Sequence, residues 1–200
     1  MKKGILAVFL CAAATLLVYG GLKPGDKATS FTLMNVDSTS VSLSDFNDQK
    51  GVILVFTSVP CPFSKAYEQR IIDLHNRYAD LGYPVIAINS NNPEISPQDS
   101  FFHMQVRARE KVYPFPYLKD SKEEICKAYG ATRTPHIFLL EKKGDGFRVA
   151  YTGAFDDNSL DARSVANRYL ENAIHALTLG ETPDPASTQA IGCLIKIQDS

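Results

Sequence analysis

The chain reads as an α/β domain, a central mixed β-sheet flanked by helices, with a β-extension in front and a tail behind. Three observations predict it. Val52–Phe56 and Val85–Ile88 are unbroken β-favouring runs, as strands covered on both faces require. Segments with a helical apolar period separate these runs. Near the end, two strand-like runs flank Lys143-Gly144-Asp145-Gly146, a hairpin turn signal. Strands alternating with helices and finishing in a hairpin call for a mixed sheet between helical layers.

In chain order, Phe31-Thr32-Leu33 and Val41-Ser42-Leu43 are short strands of the extension, with Gly25-Asp26 and Asp37-Ser38 as turns. Gly51 precedes the first buried strand. From Pro62 the period changes to 3.6, with Tyr67, Ile71, Leu74 and Tyr78 on one stripe, and Gly82 closes that helix. The strand Val85–Ile88 ends at Asn89-Ser90-Asn91-Asn92-Pro93. Residues 97–111 are expected to be helical, with Asp99 early and Arg107, Arg109 and Lys111 late, matching the helix dipole. Phe115–Leu118 is a strand. Ser121 and Glu124 form a capping-box pattern for a helix over 122–129. His136–Leu140 and Phe147–Tyr151 form the hairpin, and 161–177 is a last amphipathic helix.

Composition excludes several classes. Lys+Arg 21 against Asp+Glu 22 gives a net charge of −1, without the basic excess that phosphate neutralisation needs, so no nucleic-acid partner is expected. A 44% hydrophobic and 22% charged chain is globular rather than disordered. Four cysteines without C-x2-C pairs offer neither a disulfide-stapled mini-fold nor a structural zinc site. His75, His103, His136 and His175 are scattered, and Asp156-Asp157-Asn158 reads as a turn leading into a helix. No metal, nucleotide or organic cofactor is implied.

Met1-Lys2-Lys3 followed by uncharged Gly4–Leu22 has the layout of a signal peptide over residues 1–21. An uncleaved membrane anchor of that length is the alternative. Either places the body, residues 22–180, and the tail, 181–200, outside the cytoplasm, in the periplasm or cell envelope, secreted or anchored. Cleavage would remove Cys11 and leave Cys61, Cys126 and Cys193 in an oxidising compartment.

Cys61 is the residue that points to chemistry. It lies between Pro60 and Pro62, directly after a buried strand and at the start of a helix. Proline suits the first helical position, and the residue before a proline is steered to extended angles, so Cys61 becomes the N-cap. Its sulfur then faces unpaired N–H groups and the positive end of the helix dipole, which favour the nucleophilic thiolate. Cys193, in a small-residue motif after the tail, is the candidate resolving thiol; a pinned tail with an inert cysteine is the alternative. Cys126 reads as a core residue inside a helix, and Glu68, two turns along the first helix, as a distant acid.

With these residues the chain resembles the thioredoxin-fold superfamily, in its redoxin, AhpC/TSA-like branch of peroxiredoxins and thiol-disulfide oxidoreductases. The likeness runs over about residues 22–196. It is carried by Gly25-Asp26-Lys27-Ala28, Val52–Phe56, Cys61-Pro62-Phe63-Ser64-Lys65-Ala66-Tyr67-Glu68, Ala87-Ile88-Asn89-Ser90-Asn91, Phe115-Pro116-Tyr117-Leu118, Tyr129-Gly130-Ala131, Thr134-Pro135 and Gly192-Cys193-Leu194-Ile195-Lys196. The resemblance implies that Thr134-Pro135 is a cis-proline loop facing the reactive cysteine, so that Thr134, Pro135 and Pro60 contact the substrate. The chain departs from the C-x-x-C of many relatives, because Ser58 stands where the first cysteine belongs. Ser58-x-x-Cys61 resembles instead the hydroxyl-x-x-Cys of peroxiredoxins, whose hydroxyl bonds the thiolate, although Leu54 replaces the expected proline. Arg133 is the nearest arginine in sequence for a peroxide-assisting role. The implied partners are protein thiols or disulfides, or hydroperoxides, with an external thiol reductant. The expected activity is an exported thiol oxidoreductase using Cys61, either in a one-cysteine peroxidase cycle or in exchange with Cys193. The alternative is a redox-inactive binding module that has lost the dithiol.

Overall fold

The computed structural model describes residues 20–198. The leader or anchor expected at the front, through residue 19, lies outside them. Among the described residues no helix is long and apolar enough to cross a membrane.

The strands are β1 (Thr32–Asn35), β2 (Ser40–Ser42), β3 (Gly51–Phe56), β4 (Val85–Asn89), β5 (Tyr117–Lys119), β6 (Arg133–Thr134), β7 (His136–Lys143), β8 (Gly146–Gly153) and β9 (Cys193–Leu194). The helices are α1 (Pro62–Tyr78), α2 (Phe101–Lys111), α3 (Glu124–Tyr129) and α4 (Tyr169–Thr178). Seven strands form one sheet in the order β2-β1-β5-β4-β3-β7-β8, while β6 and β9 make a separate two-stranded ladder. The pairs β3–β4 and β4–β5 are parallel; β3–β7, β7–β8, β1–β5 and β1–β2 are antiparallel. The mixed sheet between helical layers is therefore as expected.

Strand β3 lies inside the sheet, between β4 and β7, and is buried along its whole length. Its side chains alternate between two cores, as the period of 2 demands. Ile53 and Val55 join α1, α2 and α4 through Ile71, Leu74, Met104, Leu170 and Ile174. Val52, Leu54 and Phe56 join α3 and the front extension through Phe31, Leu43, Ile125 and Tyr129. The register Phe56↔His136 sets Pro135, just before β7, beside the C-terminal end of β3, where the chain turns into α1.

Three helix starts differ from the sequence expectation, each because a carboxylate takes another job. Helix α3 begins at Glu124, and Ser121 is exposed without capping it. The buried Asp120 accepts the Ile125 and Cys126 N–H groups instead, at 3.1 and 3.0 Å. Helix α4 begins at Tyr169, since the Asp157 carboxylate holds Ala166 and Asn167 N–H in a loop. Helix α2 begins at Phe101, and Asp99 is buried in the preceding turn rather than in the helix's first turn. At the other end of α3, Gly130 takes a left-handed φ of 72°, and a Cβ there would strike the backbone of Gly21.

Leu139 is fully buried on β7 between β3 and α4. Leu139→Ala should lower unfolding free energy by about 2–5 kcal/mol, measured by urea denaturation. A loss below about 1 kcal/mol would contradict the two-layer packing around β3 and β7.

Candidate functional site

Cys61 is the N-cap of α1, with φ −62° and ψ 121°, and Pro62 begins the helix. The expected backbone geometry is thus present: the pre-proline residue is extended and its carbonyl accepts the first helical bond from Lys65 N–H at 3.0 Å. Cys61 is only 3% exposed. As a thiol it donates to the Thr134 carbonyl at 3.2 Å. The Thr134–Pro135 peptide is cis, and both residues are buried beside the sulfur's loop. Cys193 stands directly opposite Thr134 in the antiparallel β6–β9 ladder. The structure thus gathers Cys61, Thr134-Pro135 and Cys193 from three distant parts of the chain.

Burial of the Cys61 sulfur opposes its ionisation. The Cys193 thiol, the Thr134 hydroxyl and the N–H groups of Ser64 and Cys193 outweigh that penalty and hold the Cys61 thiol below its ordinary pKa. The Thr134 hydroxyl is 1% exposed and has no partner among the neutral groups around it, so the thiolate is its natural acceptor. Ser64 is the third residue of α1, and its N–H is one of the groups a helix start leaves unpaired. Cys193 behaves oppositely. Burial and the neighbouring Cys61 sulfur push its thiol up to about 11. Of the two thiols, Cys61 is therefore the one that ionises first.

Ser58 does not bond the Cys61 sulfur as the resemblance implied. Its hydroxyl donates to Asp99 Oδ2 at 3.1 Å. Asp99, fully buried, also accepts Val59 N–H at 2.8 Å, Asn89 Nδ2 at 2.8 Å and the Ser96 hydroxyl at 2.7 Å. This carboxylate ties the 58–60 turn to β4 and thereby fixes where Pro60 and Cys61 stand. Asp99 thus serves this turn and not the helix dipole expected of it; Ser96-x-x-Asp99 before the helix is the sequence signal of the cap-like turn.

The remaining residues singled out by sequence have other partners. Cys126 is buried in α3, with its thiol pushed up to about 11 by burial and by Asp120. Glu68 is locked by a bidentate bond from Arg107 at 2.8 and 2.7 Å and by the Tyr113 hydroxyl. Arg133 donates to the Gly192 carbonyl at 2.8 Å, holding the tail. Burial lowers His136 to about 4, so it is neutral and packs on Phe138. Asp156 bonds Tyr67 and Arg70, and among the described residues no cluster of His, Cys, Asp and Glu could hold a metal ion.

The profile of the AhpC/TSA family matches residues 24–145. The chain belongs to the AhpC/TSA family. Its fold is thioredoxin-like, a central mixed sheet flanked by helices. Within this frame it is 25% identical over 147 residues to thiol-disulfide oxidoreductase ResA of Bacillus thuringiensis subsp. konkukian (strain 97-27), covering 70% of this chain and 80% of that protein. An uncharacterized conserved protein from Geobacillus kaustophilus is similar in structure, with 33% identity, a TM-score of 0.83 and coverage of 90% and 95% of the two chains. A hypothetical protein from Sinorhizobium meliloti 1021 gives 30% identity and a TM-score of 0.82, over 90% of this chain and 97% of that one. These two likenesses extend well beyond the stretch matched by the AhpC/TSA profile, so most of the chain outside it also has counterparts there.

Asp99→Ala strands the buried Val59 and Asn89 donors, at about 1–3 kcal/mol each, and should lower unfolding free energy by roughly 3 kcal/mol. Asp99→Asn should lose less than half as much, because the Ser58 and Ser96 hydroxyls can turn to accept from an amide. Equal losses in urea denaturation would contradict this assignment. Separately, Cys193→Ala should raise the midpoint of the pH profile for Cys61 alkylation, and Cys193→Ser, which keeps a donor, should raise it less. An unchanged midpoint in Cys193→Ala would show that the pair does not share a proton.

Proposed function

We propose that this AhpC/TSA-family chain is an exported thiol-disulfide oxidoreductase whose redox pair is Cys61 and the tail-borne Cys193. The observation that carries the reading is the placement of Cys193 opposite Thr134, against a Cys61 sulfur whose ionisation it favours. A dithiol cycle needs one sulfur to attack and another to resolve. With Ser58 in place of a nearby cysteine, the tail supplies the second sulfur. Export rests on the basic start and apolar run of residues 1–21.

The cycle begins with the Cys61 thiolate attacking one sulfur of a client disulfide. That S–S bond breaks, a Cys61–client mixed disulfide forms, and the first client sulfur leaves as a thiolate. Cys193 transfers its proton to a departing thiolate or to solvent and attacks Cys61 Sγ. The Cys61–client bond breaks and the Cys61–Cys193 disulfide forms as the second client sulfur leaves. The client disulfide has gained two electrons and the cysteine pair has lost them. An external thiol reductant then restores the pair by the same exchange chemistry. Helix-terminal N–H groups stabilise Cys61 whenever it is the attacking or leaving sulfur, a contribution of about 0.3–1 kcal/mol from the dipole alone.

A one-cysteine peroxide cycle finds less support, since Ser58 is engaged by Asp99 and Arg133 by Gly192. Neither is directed at Cys61. The test is reaction of the reduced, leaderless protein with a diffusible disulfide, followed by mass spectrometry under non-reducing conditions. The native chain should show a Cys61–Cys193 link with Cys126 free. Cys193→Ala should accumulate the mixed disulfide on Cys61, and Cys61→Ser should slow exchange by about a hundredfold or more. A Cys61 that reacts no faster than an ordinary cysteine would favour a redox-inactive binding module. Peroxide consumption that persists in Cys193→Ser would favour the one-cysteine peroxidase.

A further inference from the structure

The strand edge facing Cys61 is already occupied by the chain itself. Strand β9 pairs antiparallel with β6, Arg133↔Leu194 and Thr134↔Cys193. Ile195 N–H donates to the Thr132 carbonyl at 3.0 Å, and Asn92 N–H to the Lys196 carbonyl at 2.7 Å. Lys196 N–H donates to Asn91 Oδ1 at 2.9 Å, and Gln198 N–H to Glu123 Oε2 at 2.9 Å. The backbones approach so closely that a Cβ on Gly192 would collide with the Thr134 carbonyl oxygen and lie 2.7 Å from its carbon. The arm is thus inserted as a strand and not merely laid over the surface.

Its hold differs from that of the segment before it. The Thr188 hydroxyl bonds Tyr151 and Ala154 N–H, and Thr152 bonds Ala186 and Thr188 through the backbone, which fastens the tail to β8. Beyond that anchor, Ile191 and Leu194 are 55% and 63% exposed, and Ile195 and Ile197 are only half-buried. The arm is therefore held mainly by backbone hydrogen bonds, which any extended peptide could offer to the same edge. Four residues lie between Thr188 and Cys193, so over these five chain steps a released arm can carry the Cys193 backbone at most about 17 Å from the anchor.

We propose that residues 192–197 are a self-docked strand, standing in for an extended cysteine-bearing segment of a client protein, and that Cys61 is open to such a segment only when the arm leaves. This rests on the reading of Cys61 and Cys193 as a reactive pair. Release exposes both the sulfur and the β6 edge in one movement, and the anchor at Thr188 keeps Cys193 near enough to return and resolve the mixed disulfide. The steric gap at Gly192 adds a requirement on the client: the residue preceding its cysteine must be glycine, or the strand must sit further from Thr134.

The test compares the native protein with Gly192→Ala, which keeps both cysteines but removes the space for the arm. Ile195→Pro, which deletes the donor to Thr132, serves as a second variant. The reagents are a peptide copying residues 190–197 with its cysteine in a mixed disulfide, and a small aromatic disulfide that needs no strand edge. Rates are read at the alkaline plateau, so that ionisation does not enter, with amide exchange at Ile195 and Lys196 in parallel. A tethered arm competes at a millimolar effective concentration, so releasing it should speed reaction with sub-millimolar peptide about tenfold or more. The small disulfide should gain less; both amides should exchange faster in Gly192→Ala, and the Lys196 amide in Ile195→Pro, which has no N–H at 195. Peptide and small-disulfide rates rising equally would overturn the proposal, because the arm would then shield the sulfur without occupying a docking edge. Unchanged rates and unchanged amide exchange in both variants would overturn it as well. If Cys61 proves unreactive even with the arm released, the redox reading fails instead. The docking claim is then decided by the same peptide with serine for cysteine, which should bind the variants more tightly than the native chain; equal binding would overturn it.

Discussion

The opposite shifts of two neighbouring thiols, Cys61 held below its ordinary pKa and Cys193 pushed above it, are the constraint on which the rest of the site depends. Neither burial nor the helix start accounts for it alone. Burial opposes the thiolate, and the dipole of one helix is a modest counterweight. Three further donors tip the balance, the thiol and N–H of Cys193 and the hydroxyl of Thr134, added to the Ser64 N–H. Two of these come from the tail. The surroundings that favour ionisation of the Cys61 thiol are therefore complete only while the end of the chain lies on the β6 edge.

The scaffold serves that assembly with buried polar groups as much as with apolar packing. The two cores around β3 fix the sheet, and the register with β7 sets Pro135 at its end. Between sheet and sulfur lies the Asp99 carboxylate, which takes four hydrogen bonds and leaves the turn before Cys61 little freedom. A fully satisfied buried carboxylate of this kind is tolerable where an unpaired one would be costly. The tail is held in the same manner, by Asn91, Asn92 and Glu123, polar groups at the ends of neighbouring elements.

Much of this was legible in the sequence, and the parts that were not share a physical cause. The β3–α1–β4 unit follows from side-chain period, and the N-cap position of Cys61 from the flanking prolines, because both are local effects. Thr134-Pro135 could be placed only through resemblance, since nothing in its own neighbours says that β7 pairs with β3. The cap of α3 went to Asp120 rather than Ser121, and α4 started late, because tertiary contacts outbid local capping signals. Asp99 was read as a helix-end charge, although its role depends on Ser58, Val59 and Asn89, ten to forty-one residues away. Strand β9 is two residues long. No periodicity can announce so short an element, and only its partner makes it a strand. The placement of Cys193 opposite Thr134 depends on that pairing and is hidden from the sequence for the same reason.

How the proton is divided between the two sulfurs decides whether they can act as a pair. Nuclear magnetic resonance of isotope-labelled cysteine reports the ionisation of each thiol separately, in the reduced protein carrying Cys126→Ser. Cys61 should titrate first, below an ordinary free thiol, and Cys193 should follow only near pH 11. If both titrate together at the ordinary value, or Cys193 ionises first, the shared-proton site described here does not exist.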